Sequence, residues 1–264
     1  MEQYFKANQK LWDDKVPFHL KSSLYNMEAF LNGHSSLCPV VQQEVGNVNG
    51  KSILHLQCHF GQDSLSLARM GAKVTGVDFS GEAISKARAL NEQLGLDATF
   101  IQANVMELNE KLTESYDMVF TSFGTIIWLP ELKAWANVIS QRLKPGGSFV
   151  FVEFHPVINA MDWDRGTFDY NYFNSGKPYH EIVEGTYADK DADLKGEEYF
   201  WLHSFEDVLS PLLAEGMHLT SFKEYPFSSY DVFGEMKKLE EWKFVWTKTQ
   251  ASFPHMFSLQ MTKK

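Results

Sequence analysis

Cysteine is nearly absent from the chain: Cys38 and Cys58 are the only two. A small fold stapled by disulfides is thereby excluded, and both are read as reduced thiols. No apolar run approaches the roughly 18–20 residues that a membrane-spanning helix needs. Basic charge is in deficit, with 24 Lys and Arg against 34 Asp and Glu and a formal net charge of −10. A general nucleic-acid or anionic-membrane binder needs a basic face, so this balance argues against both. The opening Met1-Glu2-Gln3-Tyr4-Phe5-Lys6 lacks the basic-then-apolar order of a secretory signal. Repeats, low-complexity tracts and Pro/Gly/Ser-rich linkers are missing as well. The 9 histidines show no His-x-His spacing and the cysteines no Cys-x-x-Cys, so no metal site is expected. What is present is ordinary for a globular protein: 264 residues, 44% hydrophobic and 22% charged. The expectation is one soluble, cytoplasmic domain.

Residues 1–48 read as amphipathic helix, with Tyr4, Phe5, Leu11 and Trp12, then Leu24, Met27, Phe30 and Leu31, at three- and four-residue spacing. After them the period changes. Short apolar runs (Ser52–Leu56, Lys73–Val77, Thr99–Gln102, Met118–Ser122, Ser148–Glu153) alternate with helical patterns at Asp63–Met70, Gly81–Leu94 and Glu131–Leu143. That alternation predicts βαβ units and a parallel sheet covered on both faces. Ser80 is placed to cap a helix, and Pro145-Gly146-Gly147 to end one and turn into the next strand.

Beyond Glu153 the composition shifts. Asp162–Trp201 holds ten aromatics, ten acids and four bases in 40 residues, so it carries −6 of the −10. Tyr179–Tyr187 and Glu197–His203 read as an antiparallel excursion with Ala188–Leu194 as its polar turn. A helix near Glu206–Glu215 and strands near Leu219–Glu224 and Ser252–Met261 complete the chain. The expected map is a helical cap over 1–48, a binding core over 49–155, a substrate-side insertion over 156–203 and a closing helix with two strands over 204–264.

The string Ser52-Ile-Leu-His-Leu-Gln-Cys-His-Phe-Gly61, followed by Gln62-Asp63-Ser64, joins a strand through a glycine turn to a helix N-terminus. That is the first βα turn of a nucleotide-type site. Seventeen residues after Gly61 stands Asp78, an acid at the end of the second strand, where a carboxylate can accept from both ribose hydroxyls. NAD, FAD and S-adenosylmethionine sites all use such an acid. The turn favours the last: Gln57 and His59 occupy places where a pyrophosphate would require glycine, and S-adenosylmethionine has no pyrophosphate. At the end of the third strand Gln102-Ala103-Asn104-Val105 offers an amide and a backbone N–H to an adenine edge.

The glycine turn, Asp78, Ala103-Asn104, Tyr116-Asp117 and Leu143-Lys-Pro-Gly-Gly147 together resemble the class I (Rossmann-like) S-adenosylmethionine-dependent methyltransferases over about Gly50–His155. Trp12-Asp13, His55-Leu-Gln-Cys-His-Phe-Gly61, Glu153-Phe-His-Pro156 and Trp201-Leu-His203-Ser resemble a bacterial subgroup whose acceptors are mostly unassigned. The resemblance implies an α/β, doubly wound seven-stranded sheet in the order 3-2-1-4-5-7-6, with only strand 7 antiparallel, an N-terminal helical cap and an antiparallel insertion after strand 5. The usual turn of that family is L-D-x-G-x-G-x-G; here His55 replaces the acid, Gln57 and His59 replace two glycines, and Asn104 stands where Asp is usual.

On this reading S-adenosylmethionine is held by Gln57, Cys58, His59, Gly61, Asp78, Phe79, Ser80, Ala103, Asn104, Val105, Thr121 and Ser122, with Trp12 and Trp128 as walls. Glu153, His155 and His203 stand as general-base candidates, His155 and His203 foremost, because imidazole takes a proton near neutral pH. His55 is expected to be a core histidine. The expected activity is methyl transfer to a small-molecule acceptor, with S-adenosylhomocysteine as product. RNA or protein methylation, a non-catalytic cofactor-binding protein and an NAD-linked oxidoreductase are the alternatives.

Overall fold

The computed structural model describes residues 1–264 except 163–165, 232 and 249–250, so Trp163 of the aromatic insertion lies outside the described residues. Seven strands form one sheet: β1 (Ser52–Leu56), β2 (Lys73–Asp78), β3 (Thr99–Gln102), β4 (Tyr116–Ser122), β5 (Leu143–Phe154), β6 (Met217–Tyr225) and β7 (Met256–Lys263). Their spatial order is 3-2-1-4-5-7-6. The first five pair in parallel, whereas β7 runs antiparallel to both β5 and β6.

The apolar runs are continuous because both faces of the sheet are covered. On one face Leu54, Leu56, Val119, Phe149 and Phe151 pack with Trp135 and Val138 of the helix Lys133–Arg142. On the other, Ile53, Met118, Phe120, Val150 and Val152 meet Val40, Val41 and Val45 of the short helix Pro39–Val45. Successive residues of each strand therefore enter opposite cores, as the two-residue period of a strand requires. The helix Gln62–Arg69 follows β1, and the helix Gly81–Gln93 follows β2 under the cap of Ser80, whose hydroxyl accepts from the Ala83 N–H at 3.0 Å.

Helix α1 (Glu2–His19) lies across the carboxyl ends of the strands. Polar groups hold it there alongside the buried Leu11 and Val16. The Asn8 amide donates to the Tyr199 carbonyl at 2.7 Å and accepts from the Tyr199 N–H at 2.8 Å. Gln9 Nε2 donates to the Phe79 carbonyl at 2.6 Å, and Asp13 accepts from the Ser80 hydroxyl at 2.6 Å. Lys15, only 4% exposed, pairs with Glu198 at 3.3 Å. Tyr199 and Glu198 belong to an antiparallel hairpin of Tyr179–Glu184 and Lys195–Phe200, close to the expected excursion. One helix thus ties the insertion to the loop after β2.

The structure adds two ribbons that periodicity did not show, Met161–Asp162 with Thr167–Phe168 and Lys237–Glu240 with Lys243–Val245. Their strands are two to four residues long, too short to display a period. The helix before β5 ends at Arg142, and Leu143 already pairs with Tyr116, so the chain enters the sheet before Pro145-Gly146-Gly147 rather than after it. Among the described residues, no helix is long and apolar enough to cross a membrane, and no group of three or more His, Cys, Asp or Glu is placed to hold a metal ion.

Candidate active site

The turn after β1 keeps a glycine-like backbone without the glycines. Gln57 has φ +56° and His59 φ +49°, both left-handed, and Gly61 has φ +82°. Each non-glycine residue costs roughly 1–2 kcal/mol in that region, and the side chains it adds are the ones that build this site. Gly61 itself is fixed by space: a Cβ there would lie 2.7 Å from the Phe100 ring and 3.0 Å from Ala87 Cβ. Gly61→Ala is expected to lower stability by about 3 kcal/mol, combining overpacking with backbone strain, and a denaturant titration reads it.

Asp78, 7% exposed, ends β2 beneath α1. One carboxylate oxygen accepts from the His59 N–H at 2.8 Å and the other from the Ser80 N–H at 2.9 Å. Burial raises the carboxyl from its ordinary value to about 6, and those backbone donors pull it partway back. Beside it a cavity of about 650 Å³ is lined by Phe79, Gln102, Ala103 and Asn104 from the sheet and by Phe5 and Gln9 from α1.

At the other end of the turn, histidine and aromatic rings close together. His19 Nδ1 and His59 Nε2 are 2.9 Å apart. Trp12 meets the rings of His59 at 5.2 Å and Trp128 at 5.4 Å, both edge-on. Desolvation pushes the His19 imidazole down to about 3 and His59 downward as well, so both rings are neutral. Lys15 lies over Trp12 and Trp128, and burial lowers its ammonium. Four buried polar atoms in this group have no partner: Trp12 Nε1, His19 Nε2, Gln57 Oε1 and His59 Nδ1. Buried polar atoms are seldom left bare, so their clustering at one turn marks where a polar ligand sits.

The structure brings Gln57, His59, Asp78, Phe79, Ala103, Asn104, Trp12 and Trp128 to these two spaces. Others of the expected set point elsewhere. Thr121 is buried within the sheet and donates to the Leu56 carbonyl at 3.1 Å. Cys58 and Val105 pack into the cores. The Asn104 oxygen expected for adenine accepts from the Met106 N–H at 3.1 Å and caps the turn Val105–Glu110. Ser80 is spent as cap and partner of Asp13.

Neither expected histidine base reaches the site. His155 caps the turn Pro156–Asn159 by accepting from the Val157 N–H, and its Nε2 faces Glu224 at 2.9 Å. His203 faces the Leu129 carbonyl at 2.8 Å and the Asn174 amide at 3.2 Å. Both nitrogens of each ring are thus engaged in this structure. Glu153 is likewise consumed, accepting from the N–H groups of Gly124, Thr125 and Phe154. His55 is the core histidine expected, 2.7 Å from Ser64 Oγ.

Sequence reasoning missed Lys15, His19, Asp63, Tyr187 and Tyr230. Asp63 opens the helix after Gly61 and accepts from the hydroxyls of Ser36, at 2.6 Å, and Ser122. The Tyr25 and Tyr187 hydroxyls bond each other, and Tyr230 meets the Phe123 ring at 5.1 Å. For Lys15 and His19 a signal existed, since with Trp12 they fall at three- and four-residue spacing on one face of α1.

A family model described as a methyltransferase domain matches residues 53–147. A ubiquinone biosynthesis O-methyltransferase of Salmonella arizonae is 31% identical over 178 residues, 67% of this chain and 69% of that protein. One from Photorhabdus laumondii is 33% identical over 111 residues, 42% of this chain, and there the chain spans about half the relative's length, 46%. Among solved structures, a methyltransferase described as S-adenosylmethionine-dependent, from Listeria monocytogenes, superposes with a TM-score of 0.60 at 20% identity, over 84% of this chain and 95% of that one. The cavity at Phe79–Asn104, the acid of β2 and the bare polar atoms at the turn fit an adenosine joined to an amino-acid tail. By its turn, its sheet order and these matches, the chain belongs to the class I S-adenosylmethionine-dependent methyltransferases.

Proposed function

We propose that the chain methylates a small-molecule acceptor held between α1, the hairpin and the ends of β1 and β4. When bound, S-adenosylmethionine supplies a methyl group already activated by its sulfonium, so the protein has chiefly to align and desolvate. Asp78 would take the ribose hydroxyls, and Phe79 with Asn104 would flank the adenine. Gln57 Oε1 is a bare acceptor for the ammonium of the cofactor's amino-acid tail.

The observation that carries the reading is the ring cluster beside the turn. The rings of Tyr25 and Tyr187 pack on His19 at 5.2 and 4.7 Å, and their hydroxyls bond each other. A wall of tyrosine rings suits a compact apolar or planar molecule. α1 adds Trp12 and His19 to the same cluster. The related ubiquinone biosynthesis O-methyltransferases, by name, also serve a small-molecule pathway.

The test supplies the protein with S-adenosylmethionine and either the dialysable or the macromolecular fraction of a bacterial extract, and measures S-adenosylhomocysteine. Product with the dialysable fraction is expected. Product only with RNA or protein, or none despite cofactor binding, would overturn the reading.

A further inference from the structure

His19 and His59 bond each other and keep their outer nitrogens free of the fold. Among the described residues, the buried histidine nitrogens without a hydrogen-bond partner are His19 Nε2 and His59 Nδ1. The inner pair, His19 Nδ1 and His59 Nε2, is 2.9 Å apart, and the rings meet edge-on at 5.1 Å. A neutral imidazole carries one N–H and one lone pair. The bond between the rings takes the N–H of one and the lone pair of the other. The two outer nitrogens are therefore opposites: when His59 Nδ1 bears a proton, His19 Nε2 is a lone pair, and the reverse. Whatever docks on one sets the other.

Two neighbouring groups decide the direction. Trp12 Nε1 can only donate and Gln57 Oε1 only accept, and both are buried and bare. An amino-acid tail matches them, with its ammonium on Gln57 and its carboxylate on Trp12. The Trp12 and His59 rings are 5.2 Å apart, so the same carboxylate would take the His59 Nδ1–H. His19 Nε2 is then the lone pair. His19 is fully buried, packed on the rings of Tyr25 at 5.2 Å and Tyr187 at 4.7 Å, the wall assigned above to the acceptor. Burial above all, with the Lys15 ammonium, disfavours the charged form of both imidazoles, and a carboxylate at His59 would offset that.

Resting on the small-molecule reading above, we propose that His19 Nε2 is the general base of methyl transfer. His59 is its positioning residue, fixing that lone pair once the cofactor's carboxylate is in place. The O–H or N–H bond of the acceptor breaks, a pair on its oxygen or nitrogen forms the bond to the methyl carbon, and the pair of the broken S–C bond stays on sulfur. The proton goes to His19 Nε2. His19 Nδ1 hands its own proton to His59 Nε2, so the charge rests on the ring beside the carboxylate until it leaves to water with the product. The pair suits an acceptor with a proton on the attacking atom, a hydroxyl or an amine, and has no task for a carboxylate or a thioether.

The test has two readouts. With histidine labelled at its ring nitrogens, NMR of the protein alone and with S-adenosylhomocysteine reports which nitrogens carry protons. Saturation is expected to leave one tautomer, with His59 Nδ1 protonated and His19 Nε2 unprotonated. In His59→Gln, whose amide stands where Nε2 stood and offers nothing at Nδ1, the same addition should leave the His19 tautomer unchanged. Turnover is then measured with S-adenosylmethionine and the dialysable fraction of a bacterial extract. His19→Asn keeps a polar group at Nδ1 and lacks Nε2, so its turnover should fall about 100-fold while S-adenosylhomocysteine affinity stays within about threefold. His59→Gln should lose about tenfold in turnover and serves if His19→Asn does not fold. A protonated His19 Nε2 in the complex, a tautomer change that survives His59→Gln, or His19→Asn turnover within about threefold of wild type would each overturn the proposal. Absence of wild-type product with that fraction overturns the small-molecule reading alone, and the tautomer readout still decides the pair.

Discussion

Asp78→Ala is expected to weaken S-adenosylhomocysteine binding 10- to 100-fold, from the loss of roughly 1.5–3 kcal/mol of charge-assisted hydrogen bonding to the ribose. The variant also strips the His59 and Ser80 N–H groups of their acceptor, so a urea titration of each variant accompanies the binding measurement, and Asp78→Asn, whose amide N–H opposes one of those groups, is expected to lose part of the same support. Acidity adds a second signature. With the carboxyl of the free protein raised to about 6, lowering the pH below that point replaces a charged acceptor by a neutral one. Affinity in the wild type should therefore fall by about tenfold between pH 7.5 and 5, and remain flat in Asp78→Asn.

The sign for stability is the opposite. A folded-state carboxyl raised from 3.8 to about 6 binds its proton more tightly than the unfolded chain does. It disfavours the free fold by about 3 kcal/mol above pH 6, and that cost fades as the pH falls toward the unfolded value. The acid is kept at a position where it harms the empty protein, which is what a ligand-binding carboxylate does. Calorimetry with equal affinity in a folded Asp78→Ala would remove Asp78 from the cofactor site.

The sheet was legible because each strand has its apolar residues on both sides: Ile53 and Leu54, Met118 and Val119, Phe149 and Val150 enter opposite cores. A parallel sheet covered on both faces asks for such runs. Asp78 was legible from its place at a strand end. The acceptor side was not, and the reasons are physical. α1 buries Asn8, Lys15 and His19 by satisfying them through groups distant in sequence, Tyr199, Glu198 and His59. An apolar count along the helix passes over such residues. His155 and His203 misled for a related reason: their positions near strand ends are visible in the sequence, whereas the Val157, Glu224, Leu129 and Asn174 partners that occupy their nitrogens are not. The two glycines missing from the turn changed less than composition suggests, because Gln57 and His59 keep the left-handed backbone and add ligand-facing atoms to it.

Glu153→Ala is expected to cost more stability than any other single change at the strand ends. The carboxylate is fully buried at the end of β5 and has no cationic partner among the described residues. It accepts from the Gly124 N–H, from the Thr125 N–H at 2.8 Å and hydroxyl at 3.0 Å, and from the Phe154 N–H at 2.8 Å. Burial raises its carboxyl, and those four donors oppose the rise. The loop it holds is strained at Phe123, which has φ +47°. Removing the carboxylate leaves buried N–H groups bare at roughly 1–3 kcal/mol each, so a loss of about 4 kcal/mol is expected even after partial relaxation. Glu153→Gln keeps one oxygen but sets an amide N–H against a backbone N–H, and about half that loss should remain. The damage should also reach the cofactor. Gln57 Nε2 donates to the Thr125 carbonyl at 2.8 Å and Trp128 Nε1 to the Gly124 carbonyl at 2.7 Å, so a released loop lets go of one wall and one turn residue together. Urea titration should place the variants in the order wild type, Gln, Ala, with S-adenosylhomocysteine affinity falling in the same order. An alanine variant within about 1 kcal/mol of wild type would show that the loop is held by its other bonds and that Glu153 is free for another role.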